Sequence, residues 1–386
     1  MTRPRRVLLY IQHLLGVGHL KRALLIAEAL GDAGITVWVV SGGTPARVLE
    51  AHDVDVVQLP AIRAGDARFS TLVDSDGKPV DDVFKANRRD RLLELFGSFA
   101  PDALVIEAFP FGRRQLRFEL IPLLEEADRT RPRPRILCSV RDIVQEKRDP
   151  ARLDEQVATI RRFFDQVLVH GDPNLVRLEE SFSRTGEIAD RIAYTGYVCG
   201  TVPHRRDNAC DTVGEVLVSV GGGAVGSDLL RVALAARVRS KPSRKRWRLL
   251  VGDSVSAGVF ERLSDSASEN VIVERSRADF DKLLANCAVS VSQCGYNTMM
   301  DVLRYGVPSV VVPFRGAGET EQALRAEKLR SRGLVHVVDE RTLSPDRLAT
   351  AIDAAIQAGR PVEHGLDLGG GQRTAQLIAA SLGIDR

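Results

Sequence analysis

Ser292-Gln293-Cys294-Gly295-Tyr296-Asn297-Thr298-Met299-Met300-Asp301, running on to Tyr305-Gly306-Val307-Pro308, is the stretch that decides the reading of this chain. It reads as the end of a buried strand, a glycine turn, and a helix capped near Asn297 or Thr298. A further strand at 309–312 leads into the polar loop 313–320, and Glu321-Gln322 opens the next helix. A strand that turns through glycine into a helix start presents free backbone N–H groups, which suit a phosphate. Gly295, Tyr296, Asn297 and Thr298 are therefore the expected diphosphate contacts. Asp301, one turn into the helix, is placed to bond a ribose hydroxyl. Glu321 and Gln322 are placed to read sugar hydroxyls.

Working outward, short apolar runs alternate with helical patterns in both directions. Strands are expected at 7–11, 37–40, 54–59, 103–106, 136–139 and 167–169, with helices at 20–30, 88–99, 115–127 and 153–164. The pattern restarts with strands at 216–220, 249–251, 271–273, 289–292, 310–312 and 335–338. Such alternation predicts parallel sheets covered by helices. The fold class is α/β: two Rossmann-like parallel-sheet domains facing each other across a cleft. The expected boundaries are 1–198, a linker at 199–214, a second domain at 215–366, and a C-terminal helix at 367–386 that packs back toward the first domain. Three arginines within Asn87–Arg91 predict a helix with one wet face.

Ligands of open parallel sheets bind at the carboxyl ends of the strands. Three loops there carry candidate residues. The first is Leu15-Gly16-Val17-Gly18-His19. It lacks the third glycine of a dinucleotide fingerprint, because position 21 is Lys21, and Ser41-Gly42-Gly43 stands where that fingerprint wants an acid. His19 at the helix start is a candidate general base, since an imidazole titrates near neutrality and a helix N-terminus favours its neutral form. It is equally readable as a helix-start residue that only packs. The second is Gly221-Gly222-Gly223, where Gly222 and Gly223 can cradle phosphate oxygens. The third joins Glu107-Ala108-Phe109-Pro110-Phe111-Gly112-Arg113-Arg114 to Arg141-Asp142 as a polar acceptor site edged by aromatics, with Glu107 and Asp142 as alternative bases.

Composition closes off other classes. A length of 386 residues suits two domains. A net charge of +3 gives no case for nucleic acid. Five scattered cysteines without a C-x-x-C argue against a disulfide framework or a zinc site, and fit a reducing cytoplasm. No run approaches the ~20 apolar residues of a membrane span. A cytoplasmic protein is expected, touching a membrane at most from its inner face.

From Ser292 to Gln322 above all, the chain resembles the donor-binding region of GT-B glycosyltransferases, closest to family 28, which includes the peptidoglycan N-acetylglucosaminyltransferase. The resemblance runs from Gly16 to about Gly333. It implies a sugar transferred from a UDP-sugar to an acceptor it does not name, with inversion. It implies no cofactor beyond the nucleotide sugar as substrate, and no metal. By that likeness Gly295–Thr298 sit against the diphosphate and Asp301 binds the ribose, where the family usually has glutamate. Glu321-Gln322 bind the donor sugar, where the lipid II enzyme has two glutamines. Arg277 lies near the base, and Gly16 and Gly18 match the family's first glycine loop on the acceptor side. A bacterial branch of the superfamily fits better than the lipid II enzyme itself. A nucleotide-sugar hydrolase or 2-epimerase, or a non-catalytic nucleotide-sugar-binding protein, would carry the same donor motifs. Oligomeric state is left open.

Overall fold

The computed structural model describes all residues except 1, 2, 15, 47, 48, 50, 51, 66–70, 146–148, 201–212, 221–225, 253, 254, 278, 317, 318, 362, 385 and 386. The chain divides into two compact units, Met1–Cys199 with Leu366–Arg386, and Gly200–Gly365. Most of the stretch read as a linker lies outside the described residues.

The first unit follows β1 (Arg6–Ile11), α1 (Gly18–Asp32), β2 (Thr36–Ser41), β3 (Val56–Gln58), the short pair β4 (Arg63–Ala64) and β5 (Leu72–Val73), α2 (Asp82–Phe99), β6 (Ala103–Glu107), α3 (Arg117–Arg129), β7 (Arg135–Arg141), α4 (Pro150–Phe163), β8 (Gln166–His170) and β9 (Ile192–Tyr194). Its sheet order is β3-β2-β1-β6-β7-β8-β9, parallel throughout. Central strands are buried on both faces, as parallel sheets require. Leu8 and Tyr10 point into a core shared with α2, α3 and α4. Val7, Leu9 and Ile11 point into a core shared with α1 and with α11 (Gly370–Ser381).

The second unit runs β10 (Val216–Ser219), α5 (Ser227–Arg237), β11 (Trp247–Val251), α6 (Ala257–Asp265), β12 (Val271–Arg275), α7 (Phe280–Asn286), β13 (Val289–Ser292), α8 (Tyr296–Tyr305), β14 (Ser309–Val311), α9 (Glu321–Ser331), β15 (His336–Val337) and α10 (Pro345–Ala358). Its sheet order is β12-β11-β10-β13-β14-β15, also parallel. In both sheets the strand order runs outward in one direction and then reverses beside the first strand. The switch points fall between β1 and β6, and between β10 and β13, and ligand crevices open at such points. No helix among the described residues is long and apolar enough to cross a membrane.

The wet face expected for α2 is there at Asn87, Asp90 and Arg91, but Arg88 turns inward and is fully buried. Its Nε donates to Glu119 Oε2 at 2.6 Å and its Nη2 to Glu119 Oε1 at 3.0 Å. Nη2 also reaches Gln12 Oε1 at 2.7 Å, and Nη1 donates to the carbonyls of Gly42 and Pro60. A Cβ at Gly42 would strike Arg88 and Gln12. That glycine makes room for a buried cation, which explains its place after β2. Losing one partner of a buried pair leaves the other uncompensated. Arg88→Met and Glu119→Gln are each expected to destabilise the protein by about 3–5 kcal/mol in urea unfolding. A loss below ~1 kcal/mol in both would show that the pair holds nothing together.

A candidate base and a candidate diphosphate turn

At the switch point of the first sheet, β1 leads into the glycine loop and α1, and β6 ends in Glu107. Val17 is the N-cap of α1, with no side-chain cap, so Gly18 and His19 occupy its first turn. Gly16 has open space where a Cβ would stand. His19 Nδ1 lies 2.7 Å from Glu107 Oε1. The same oxygen accepts from Arg22 Nη2. Glu107 and Arg22 are each 1% exposed at the side chain, whereas His19 keeps 17%. The imidazole is therefore reachable from solvent while its partners are sealed.

The charges around this pair settle its protonation. Burial raises the Glu107 carboxyl, but His19, Arg22 and Arg113 outweigh it and hold the group well below the usual carboxylate range. Arg22 and Arg113 contribute to this with charges that do not depend on the state of His19. Burial, with help from Arg113 and Arg141, pushes His19 down to about 3 against the upward pull of Glu107. A neutral imidazole beside a carboxylate carries its proton on Nδ1 and donates it to Glu107. The 3.3 Å approach of Arg22 Nη2 to Nδ1 then carries no hydrogen bond but sets a positive charge beside the ring, and Nε2 is left as the proton acceptor.

Behind the pair lies a buried polar layer that sequence reasoning missed. His170, at the end of β8, is bonded to Ser139 Oγ at 2.8 Å and to Thr195 Oγ1 at 2.9 Å. Burial first, then Arg22, push it down to about 3. Arg113, the last residue of the loop after β6, donates from Nε to the Gln12 carbonyl at 2.7 Å and holds a left-handed φ of 60°. Asp142 is buried and accepts from its neighbour Ile143 N at 3.0 Å, a backbone-directed role. Phe109 and Phe111, read as aromatic edges of an acceptor site, belong to the core instead, because the loop folds them under the sheet end.

In the second unit Gly295 is the N-cap of α8, with φ −67°, no side-chain cap, and nothing within 4 Å of a Cβ position. Asn297 and Thr298 lie inside the first turn rather than capping it. Gly295, Asn297, Thr298 and Gln322 are partly exposed, whereas Tyr296, Asp301 and Glu321 are buried. Gln322 Oε1 accepts from Cys294 N at 3.0 Å and Phe314 N at 3.1 Å, stitching the loops after β13 and β14 together. Glu321 pairs with buried Arg325 at 2.9 Å, and Arg325 donates to the Cys294 carbonyl at 3.0 Å. Asp301 stands 3.8 Å from Arg304 on its own helix. Arg277 is an exposed side chain paired with Asp279 at 2.6 Å. Gly222 and Gly223 lie outside the described residues. The next described residue, Gly226, has φ 112°, and a Cβ there would meet Val220 at 2.7 Å and Gln293 at 3.3 Å, so Gly226 sits against the start of the loop after β13.

Among the described residues no group of three His, Cys, Asp or Glu side chains is placed to hold a metal ion. The chain has three D-x-D triplets, Asp53-Val54-Asp55, Asp74-Ser75-Asp76 and Asp279-Phe280-Asp281, but none lies in the loops bearing His19, Glu107 or Gly295.

Comparison with known proteins agrees with this architecture. Solved structures covering nearly the whole chain include the glycotransferase of kitacinnamycin (TM-score 0.63, 16% identity, 98% of this chain and 99% of that one). The MurG of Acinetobacter baumannii superposes with TM-score 0.57 at 16% identity over 98% of this chain and 100% of that one. Likeness at that identity speaks for the fold, and the fold is GT-B. The model of the glycosyltransferase family 28 C-terminal domain matches residues 217–363, most of the second unit. A UDP-N-acetylglucosamine--N-acetylmuramyl-(pentapeptide) pyrophosphoryl-undecaprenol N-acetylglucosamine transferase of Thermotoga neapolitana is 31% identical over 196 residues, 47% of this chain and 51% of that protein. Its namesake in Brucella anthropi is 28% identical over 153 residues, 37% and 39% of the two chains. The chain thus spans about half or less of the length of these curated relatives.

The two depressed histidines fix a pH dependence. An unfolded histidine titrates near pH 6.5, whereas folded His19 and His170 titrate near 3. Between those values the unfolded chain binds more protons. Stability from the neutral rings is therefore complete above about pH 6.5 and is lost as pH falls toward 3. In urea titrations from pH 7 to 4.5, His170→Gln is expected to lessen the slope of stability against pH by up to ~1.4 kcal/mol per unit. An unchanged slope would mean that His170 is not held neutral.

Proposed function

We propose that this protein transfers a sugar from a UDP-sugar to an acceptor hydroxyl, by direct displacement with inversion and without a metal. The observation that carries the reading is the His19–Glu107 pair at the switch point of the first sheet, in a chain most of whose second unit matches the family 28 C-terminal domain, with an open glycine turn at the start of α8. His19 Nε2 takes the hydroxyl proton, and the oxygen attacks the anomeric carbon. The bond from that carbon to the diphosphate breaks, and UDP departs. Amides at the start of α8 stabilise the charge that develops on the diphosphate. Glu107 fixes the ring's tautomer and stabilises the imidazolium that forms. The relatives' names specify a UDP-linked donor and an undecaprenol-linked acceptor. The donor carries over to the present proposal. The acceptor is left as a hydroxyl compound, taken up in the cytoplasm or at a membrane's inner face.

The structure alters what is asked of the donor residues. Glu321 is already neutralised by Arg325, and the Gln322 carbonyl oxygen is occupied by two backbone amides. We assign these two to holding the donor loops, with the Gln322 amide group left to face the sugar. Gly295→Val is the sharpest donor test, because the site has room for a side chain and an ordinary φ. The variant is expected to melt like the parent and lose at least ~10-fold in UDP affinity by calorimetry. Equal affinity would remove the diphosphate from this turn. For the base, His19→Ala and Glu107→Gln are each expected to slow donor hydrolysis by ~10²–10⁴ while UDP affinity stays put. Parent-like hydrolysis in folded His19→Ala would give the proton to another group.

A further inference from the structure

Arg22 stands three residues after His19 on α1, so the two side chains share one face of the helix. An arginine one turn into a surface helix ordinarily reaches water. This one is 1% exposed, and a buried guanidinium persists only with a counter-charge. Its Nη2 donates to Glu107 Oε1, the same oxygen that takes His19 Nδ1. Glu107 Oε2 is buried and accepts no hydrogen bond. The two donors converge on one carboxylate oxygen, and the imidazole is held beside the cation, with Arg22 Nη2 3.3 Å from Nδ1.

We propose that Arg22 is a positioning residue for the reaction: it clamps the Glu107 carboxylate onto His19 Nδ1, and its fixed charge, 3.3 Å from the ring, opposes imidazolium formation until a proton is taken at Nε2. The inference rests on His19 being the base. Other charged groups bear on the same ring. Glu107 at the end of β6 favours the imidazolium, while Arg113 from the loop after β6 and Arg141 at the end of β7 oppose it. Arg22 also bears on His170 at the end of β8, which is pushed down with it. Arg22 touches both members of the pair.

The test is a side-chain nitrogen NMR titration of the histidines in the full chain, alongside the pH profile of UDP-sugar hydrolysis. In the parent, His19 is expected to stay neutral down to the lowest pH at which the protein is folded. In Arg22→Met and Arg22→Gln its midpoint should rise by about 1–3 pH units, and the acid limb of the hydrolysis profile should rise with it. Arg22→Lys, which keeps the charge, should restore the low midpoint. A merely structural arginine would lower the rate at every pH and leave the His19 midpoint in place, and that result would overturn the proposal. If both neutral variants fail to fold, the lysine variant decides: a retained low midpoint supports the proposal and a raised one refutes it. The titration needs no turnover. A shifted midpoint in a protein that never consumes donor would retain the positioning role and sink the transferase reading instead.

Discussion

A single carboxylate, Glu107, sets the terms for the first unit. It ends β6 at the point where the strand order reverses, and it is sealed from water. A charge in that position must be answered, and the answers come from α1: Arg22 cancels it and His19 is oriented by it. The helix must therefore start close to the strand end. The hydroxyls of Ser139 and Thr195 and the His170 ring fill the polar layer behind it. Solvent reaches this arrangement through the partly exposed imidazole.

The second unit treats its charges differently. Glu321 and Arg325 neutralise one another inside the unit, and Arg325 with Gln322 grips the carbonyl and amide of Cys294, just before the turn at Gly295. The turn itself carries no side-chain cap. The polar side chains hold the loop from which α8 starts.

Much of this was legible in the sequence, for a physical reason. Strands buried on both faces read as unbroken runs such as Val7–Ile11 and Val289–Ser292, and the helices between them show their 3.6-residue period. The alternation then yields two parallel sheets. β9, Ile192–Tyr194, escaped notice because a three-residue, half-buried edge strand has no run to detect. The glycine turn and the His19 loop were visible because glycine, a strand end and a helix start occur together. Burial of charge was not visible. Arg88 was read as part of a wet face, and Arg22 and Arg325 drew no reading; each is fully or almost fully buried because a carboxylate from another helix, from a strand end, or from one turn away on its own helix stands against it. The spacing of Arg22 from His19 was the one available signal. The Glu321–Arg325 pair went unread for the same reason, since its two members sit four residues apart on one helix.

The central claim is that a nucleoside diphosphate is held at the start of α8 in a protein whose base lies on α1. Amide hydrogen–deuterium exchange of the full chain, with and without saturating UDP, tests it most directly. The account predicts slowed exchange over 293–300 and 313–324, where the turn and the loop gripped by Gln322 lie. Unchanged exchange over 293–300 at saturating UDP would contradict it.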